Sequence, residues 1–429
     1  MDRKEAFKYI ITEFMEGELP PLTKRSLTIP STKKIVSLVG SRRSGKTFYF
    51  YQTCQELLDK GVPRDRILYV NFEDDRLYPI EATDLQDLLE AYYELYPENK
   101  GEVIHFLFDE IQDIPGWELF VRRVYDKENA RIFITGSSSK LLSREIATSL
   151  RGRTLSFDLL PLSFHEFLRF RRFGTLKDKG YSKERFAIKK AFGEYLNFGG
   201  FPEVVTEREE LKLRILEDYF NMFIYRDLVE RYSVRNIALL KSLSKYLITN
   251  IGSQFSINAY SRLIRKDVPS GKDTIMEYLS YLEDINLIHP IPLFSYSLKV
   301  QQVNPRKMYC IDNGLRNAVA FRFSRDEGRL AENIVRIELK RRGKEVYYWK
   351  GKGEVDFVVR GPDGSLDAVN VCYGPELDER EPRALLEFRD AFAQEAGDLL
   401  ILTKDTEKDV DGIVYRPLWK WLLDGPSLR

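Results

Sequence analysis

The stretch Ile35-Val36-Ser37-Leu38-Val39-Gly40-Ser41-Arg42-Arg43-Ser44-Gly45-Lys46-Thr47 decides the first half of the fold. Its opening five residues carry no charge and read as a strand buried on both faces. They run directly into a complete GxxxxGKT, and residues 48–58 continue as a helix. Strand, glycine-bounded loop and helix in that order form the context in which such a loop cradles phosphate. The glycines let backbone amides turn into one concavity, and the helix amino terminus adds partial positive charge there. Gly40, Ser41, Arg42, Arg43, Ser44, Gly45, Lys46 and Thr47 are therefore the expected ATP-binding loop. Lys46 is expected to neutralise the β- and γ-phosphates, and the Thr47 hydroxyl to coordinate Mg²⁺.

Working outward, apolar runs at 67–72, 103–108, 132–135 and 154–159 alternate with helical stretches. That alternation predicts an α/β fold with a parallel sheet. The run Ile104-His105-Phe106-Leu107-Phe108 ends in Asp109-Glu110. Adjacent acids at such a strand end divide the work: Asp109 for the metal, Glu110 to orient or activate the attacking water. The next strand ends Ile134-Thr135-Gly136-Ser137. Ser137 is the first choice for a group sensing the γ-phosphate and Thr135 the second; the alternative is a hydroxyl-rich turn capping a helix. Arg151 and Arg153 are both candidates for an arginine finger, in cis or in trans, with a basic surface loop as the alternative. A trans finger implies a homo-oligomer. Glu73, Asp74 and Asp75 end a strand near the same site and read more simply as an exposed turn.

Lys and Arg number 67 against 66 Asp and Glu, so no global basicity draws the chain to nucleic acid or membrane. With 43% hydrophobic and 31% charged residues the composition is that of a globular chain, not a disordered one. Cys54, Cys310 and Cys372 form no CxxC pair, which argues against a zinc ribbon and suits a reducing compartment. No apolar run reaches 18 residues and the start lacks a signal-peptide core, so a cytoplasmic protein without a membrane span is expected. Residues 1–19 read as an amphipathic helix ended by Pro20-Pro21.

Past residue 160 the pattern changes. Residues 161–235 look helical, broken at Gly199-Gly200-Phe201-Pro202. Residues 236–320 give helices at 238–250, 257–266 and 272–286, then strands at 287–290 and 308–311, the outline of a winged helix-turn-helix. Its basic residues are Arg262, Arg265 and Lys266, with Lys299, Arg306 and Lys307 on the expected wing. The helix that would enter a groove holds Lys272 against Asp273, Glu277, Glu283 and Asp284, a poor approach to phosphates. Residues 321–429 alternate again and predict a small α/β domain.

GSRRSGKT, FLFDEIQ, ITGSSS and LRGR, with GGFPE (199–203), YRDLVERY (225–232), NPRKMYCIDNGL (304–315) and GEVDFVV (353–359), carry a resemblance over nearly the whole chain. The sequence resembles an AAA+-related P-loop ATPase family of archaea and bacteria. Its members follow the ATPase with a helical and winged-helix region and a carboxy-terminal restriction-endonuclease-like domain. The resemblance implies an ATPase core over 1–160, a helical connector over 161–235, a winged helix over 236–320 and the nuclease-like domain over 321–429. That last fold needs a helical Glu, an Asp, and an acid followed two residues on by Lys. Glu332 and Asp356 fill the first two positions, but Asn370 stands for the acid and Cys372 for the lysine, so the domain is expected not to cleave. The resulting expectation is a Mg²⁺-dependent ATPase driving a module that acts on double-stranded or branched DNA. The competing expectation is an ATP-timed switch binding a protein.

Overall fold

A computed structural model describes residues 2–136, 150, 152–174, 184–264, 271–320, 326–374 and 376–424. The chain divides into two compact units, Met1–Leu159 and Leu160–Arg429. No helix among the described residues is long and apolar enough to cross a membrane.

In the first unit, β1 (Ile35–Val39), β2 (Ile67–Asn71), β3 (Ile104–Asp109), β4 (Ala130–Gly136) and β5 (Thr154–Asp158) form one sheet in the order β2-β3-β4-β1-β5. Every pair is parallel. All five residues of β1 are buried, as an uncharged run with helices on both faces requires. The helices α1 (Arg3–Glu16), α2 (Lys46–Asp59), α3 (Leu85–Leu95) and α4 (Trp117–Lys127) supply that cover. Phe7, Ile10 and Ile11 of α1 join one apolar layer, while Tyr49, Phe50 and Cys54 of α2 join the other. Because β4 lies between β1 and β3, its carboxyl end separates the loop after β1 from the acids after β3. Phe108 pairs with Ile134, which sets Asp109 beside Thr135.

The second unit opens with helices Phe164–Phe170, Glu184–Phe198 and Glu209–Met222, the last continuing into a π-helical turn at Phe223–Glu230. Helices Ile237–Thr249, Ile257–Ile264 and Lys272–Asp284 follow as expected. The expected wing differs. Its ladder is β6 (Ser253–Phe255) against β7 (Arg306–Met308), while residues 287–291 make isolated bridges, Ile288 to Cys310 and Ile291 to Lys307. Lys299 sits on a short helix, Leu298–Val303. Lys307 is buried, because ion pairs hold its ammonium inside the unit. Arg265 and Lys266 lie outside the described residues.

A six-stranded mixed sheet completes this unit: β8 (Glu345–Lys350), β9 (Glu354–Arg360), β10 (Leu366–Cys372), β11 (Ala396–Thr403), β12 (Lys408–Val410) and β13 (Ile413–Pro417), ordered β12-β13-β11-β10-β9-β8. The turn 361–364 closes the β9–β10 hairpin. One face packs on helix Arg380–Ala391 through Leu385 and Phe388. The other joins an apolar cluster running from Leu162 through Leu243, Ile275 and Ile334 to Leu400 and Trp421. Residues of 161–235, 236–320 and 321–429 thus share one continuous core.

Candidate nucleotide site

The loop 40–47 leaves β1 and enters α2 through Gly45, whose φ of +95° is left-handed and easy only for glycine. A Cβ on Gly40 would collide with the Leu159 carbonyl oxygen and come 2.8 Å from Ser44 Oγ, so a side chain there cannot coexist with this loop. Buried Arg25, from the segment before β1, donates Nη1–H to the Ser44 carbonyl at 2.7 Å and steadies the loop from behind. Lys46 Nζ donates to the carbonyls of Gly40 at 3.3 Å and Ser41 at 3.4 Å. Ser41 Oγ and Ser44 Oγ are buried without a hydrogen-bond partner among the described residues. Curled backbone, a confined ammonium and orphaned hydroxyls suit a bound phosphate.

Asp109 is fully buried at the end of β3. Thr135 Oγ1 donates to its Oδ1, and the Tyr69 hydroxyl donates to its Oδ2 at 3.2 Å. Thr47 also hydrogen-bonds this carboxylate. Burial raises the Asp109 carboxyl above its ordinary range and the adjacent Glu110 adds to that, while the Thr135 and Thr47 hydroxyls oppose it. Glu110 has the backbone φ of +53°, a strained value for a side-chain-bearing residue. The same Thr135 hydroxyl that serves Asp109 accepts the Glu110 N–H at 2.9 Å and helps hold that turn. Glu110 Oε1 lies 3.3 Å from Lys46 Nζ, and its Oε2 accepts from Gln112 Nε2 at 2.7 Å. Burial alone would raise this carboxyl, but the Lys46 ammonium, the Gln112 hydrogen bond and the Arg42 charge together outweigh it and hold Glu110 below the usual glutamate range.

Lys46, Thr47, Asp109, Glu110 and Thr135 are therefore brought together. Ser137 and Arg151 lie outside the described residues, and the polar side chain found between loop and acids is Thr135. Arg153 makes a bidentate pair with Asp126, Nε to Oδ1 at 3.0 Å and Nη2 to Oδ2 at 3.1 Å. Arg42 meets Glu73 at 3.0 Å, so one of the three acids after β2 does reach the loop, while Asp74 caps a turn by accepting from Arg76 N. Tyr69, Arg25 and Gln112 were not singled out from the sequence. Only Gln112, two residues after Glu110, carries a positional hint.

The remaining motifs build a junction in the second unit. Asp312 of the CIDNGL segment accepts from Gly200 N at 2.7 Å and from Leu315 N at 3.1 Å, so it joins the GGFPE turn to the helix Asn313–Val319. Burial pushes its carboxyl up to about 6. Asn333 exchanges hydrogen bonds with the backbone of Cys310 at 2.9 and 3.0 Å. The basic run at 340–342 turns inward: Lys340 donates to Asn286, Arg341 to the Pro161 carbonyl and Arg342 to the Trp421 carbonyl. Glu332 and Asp356 do converge, around Lys307.

An AAA domain model matches residues 32–168, and two domains of unknown function, DUF8612 and DUF4143, match 189–326 and 327–421. The parallel sheet, its loop and its acids make this an AAA-type P-loop NTPase fold. Among solved structures the chain resembles the Walker-type ATPase PABY2304 of Pyrococcus abyssi, at 16% identity and a TM-score of 0.43, covering 74% of this chain and 95% of that one. It also resembles the ORC2 protein of Aeropyrum pernix in its ADPNP–ADP complexes, at 14% identity and a TM-score of 0.39, over 80% and 94% of the two chains. Likenesses this loose have no bearing on activity. An uncharacterized protein of Methanocaldococcus jannaschii, MJ1544, is 36% identical over 99% of this chain and 96% of its own length. An uncharacterized protein of Haemophilus influenzae is 33% identical over 91% of this chain and 94% of its own. The chain belongs to the family of these uncharacterized archaeal and bacterial proteins, and in it an AAA domain with a complete P-loop precedes the two domains of unknown function.

Proposed function

We propose that the protein is a Mg²⁺-dependent ATP hydrolase whose nucleotide cycle alters how its second unit meets a partner. The observation that carries this reading is the chain of contacts from Lys46 to Glu110, from Glu110 to Thr135 and from Thr135 to Asp109. Thr47 and Asp109 are the residues that would hold Mg²⁺, which when bound neutralises charge on the phosphates. Lys46 has no other carboxylate within ion-pair distance among the described residues. An arriving γ-phosphate would compete for its ammonium and release Glu110. Parted from Lys46, the carboxylate, already ionised and oriented by Gln112, is placed to accept a proton from the attacking water. Thr135 holds both acids in register and so is a positioning residue.

For the partner, double-stranded or branched DNA is supported by the three-helix order before β7 and by exposed Arg262 and Lys299. The alternative, a protein partner, is supported by the loss of Lys307 from the surface and by Arg306 lying 3.8 Å from Glu283. Exposed Leu298 and Val303 add apolar surface beside them. Turnover by the wild type and by Glu110→Gln, with and without duplex or forked DNA, tests both. Stimulation by DNA that disappears in Glu110→Gln upholds the first reading. Turnover indifferent to every DNA removes it and leaves the protein switch, while no turnover under any condition sinks the hydrolase itself.

A further inference from the structure

The second unit gathers carboxylates where the nuclease-like resemblance calls for a divalent metal. Glu332 comes from the helix Glu327–Arg341, Glu354 and Asp356 from β9, and Lys307 enters from β7 with its side chain 2% exposed. Lys307 Nζ lies 2.7 Å from Glu354 Oε1, 2.9 Å from Asp356 Oδ1 and 3.2 Å from Glu332 Oε1. An ammonium has three N–H donors and no acceptor, so three carboxylate oxygens use it completely. Part of their remaining capacity is engaged as well. Asp356 Oδ2 accepts from Val371 N at 3.0 Å, and Glu332 Oε1 accepts from the Tyr309 hydroxyl at 2.6 Å.

Asn370, at the position where an acid was expected, faces neither the ammonium nor open space. Its carbonyl oxygen accepts from Asp356 N at 3.0 Å, and its amide donates to Glu381 Oε2 at 2.6 Å and to the Glu354 carbonyl at 3.3 Å. A Mg²⁺ ion asks for six oxygens at about 2.0–2.1 Å in near-octahedral array. Here the converging oxygens are spaced for an ammonium and already held by one. The residues present do not fit a resident divalent ion.

We propose that Lys307 is the resident cation of this site: its ammonium stands where a divalent metal would, closes the carboxylates to metal, and uses them to fasten β7 to the carboxy-terminal sheet. The neighbouring contacts serve the same attachment. Tyr348 of β8 donates its hydroxyl to the Pro305 carbonyl, next to β7, at 2.6 Å, and Asn333 of the helix that carries Glu332 clasps Cys310, two residues past β7. Burial opposes a charge on Lys307, but Asp356 and its neighbours outweigh it and keep the amine protonated. The lysine lost from β10 is thus replaced in charge by one far back in the chain, in a place that blocks metal chemistry.

Mn²⁺ bound to the nucleotide-free, full-length protein, counted by electron paramagnetic resonance, tests this. Wild type, Asp356→Asn and Glu354→Gln are expected to bind equal numbers of Mn²⁺. Lys307→Ala is expected to gain one ion per chain, and Lys307→Ala/Asp356→Asn to lose it again. A wild-type site that vanishes in Asp356→Asn or Glu354→Gln overturns the proposal, as does a folded Lys307→Ala that gains none. Should Lys307→Ala not fold, the comparison of wild type with the two acid variants decides alone.

Discussion

Replacing Thr135 with Val keeps the shape of a fully buried side chain and removes only its hydroxyl. That hydroxyl donates to Asp109 Oδ1 and accepts the Glu110 N–H. All three residues are buried, so water does not take over either bond. A hydrogen bond to a buried carboxylate contributes roughly 1.5–3 kcal/mol, and an orphaned buried N–H costs roughly 1–3 kcal/mol. Tyr69 and Thr47 still serve Asp109, which places the sum toward the lower end, at about 3 kcal/mol. In a unit of this size that lowers the melting temperature by roughly 6–12 °C. Thr135→Ser keeps the hydroxyl and loses one methyl, about 1 kcal/mol.

The same substitution has a chemical readout. The Thr135 hydroxyl opposes the burial that raises Asp109, so its loss moves that carboxyl further up. Asp109 is then protonated to a higher pH, and the acid limb of ATP turnover shifts the same way. More Mg²⁺ is needed at any fixed pH. Urea unfolding and turnover against Mg²⁺ concentration, for wild type, Thr135→Val and Thr135→Ser, check both effects. A Thr135→Val protein within about 0.5 kcal/mol of wild type and with unchanged Mg²⁺ dependence refutes the reasoning.

Glu110→Gln is expected to lower ATP turnover at least about 100-fold while nucleotide binding persists, whereas Lys46→Ala loses both; phosphate release and fluorescent-nucleotide binding separate the two. Asp312, raised from 3.8 to about 6, binds its proton more tightly in the folded chain than in the unfolded one. Its contribution to stability is therefore greatest at acid pH and falls by up to about 3 kcal/mol as pH rises through about 4 to 6. Asp312→Asn removes that slope, and unfolding curves for both proteins across this range must diverge in pH dependence if the assignment is right. Arg153→Ala breaks a pair that is part-exposed on both sides, so stability changes by no more than about 1 kcal/mol. If Arg153 is a trans finger, mixing Arg153→Ala with Lys46→Ala subunits restores part of the turnover, which either protein alone lacks.

The first unit was legible because its signals are local. The uncharged run 35–39, the glycine-bounded loop and the acids after Phe108 each lie within a dozen residues, and each constrains its own backbone. The meeting of Thr135 with Asp109 was not legible in the same way. It depends on the β3–β4 register, in which Phe108 faces Ile134, and two parallel strands of uniform apolar character give no sequence cue to which residue meets Asp109. Arg25 and Tyr69 escaped notice for a related reason: their partners Ser44 and Asp109 are 19 and 40 residues away.

In the second unit the difficulty lay with charge. A lysine between Arg306 and Met308 reads as surface, because an unpaired ammonium is almost never buried. What permits Lys307 to be buried is the simultaneous presence of Glu332, Glu354 and Asp356, 25 to 49 residues further on. No window of sequence contains them together. β10 carries Cys372 where the lysine is expected, yet the folded unit brings a lysine to the acids from β7. On the proposal above, the part-buried acids and buried Lys307 supply each other's counter-charge, and that pairing ties β7 to its neighbours. One ammonium thus leaves the basic set of the wing, where Lys299 and Arg306 stay exposed, and on the proposal above fills the acid cluster instead.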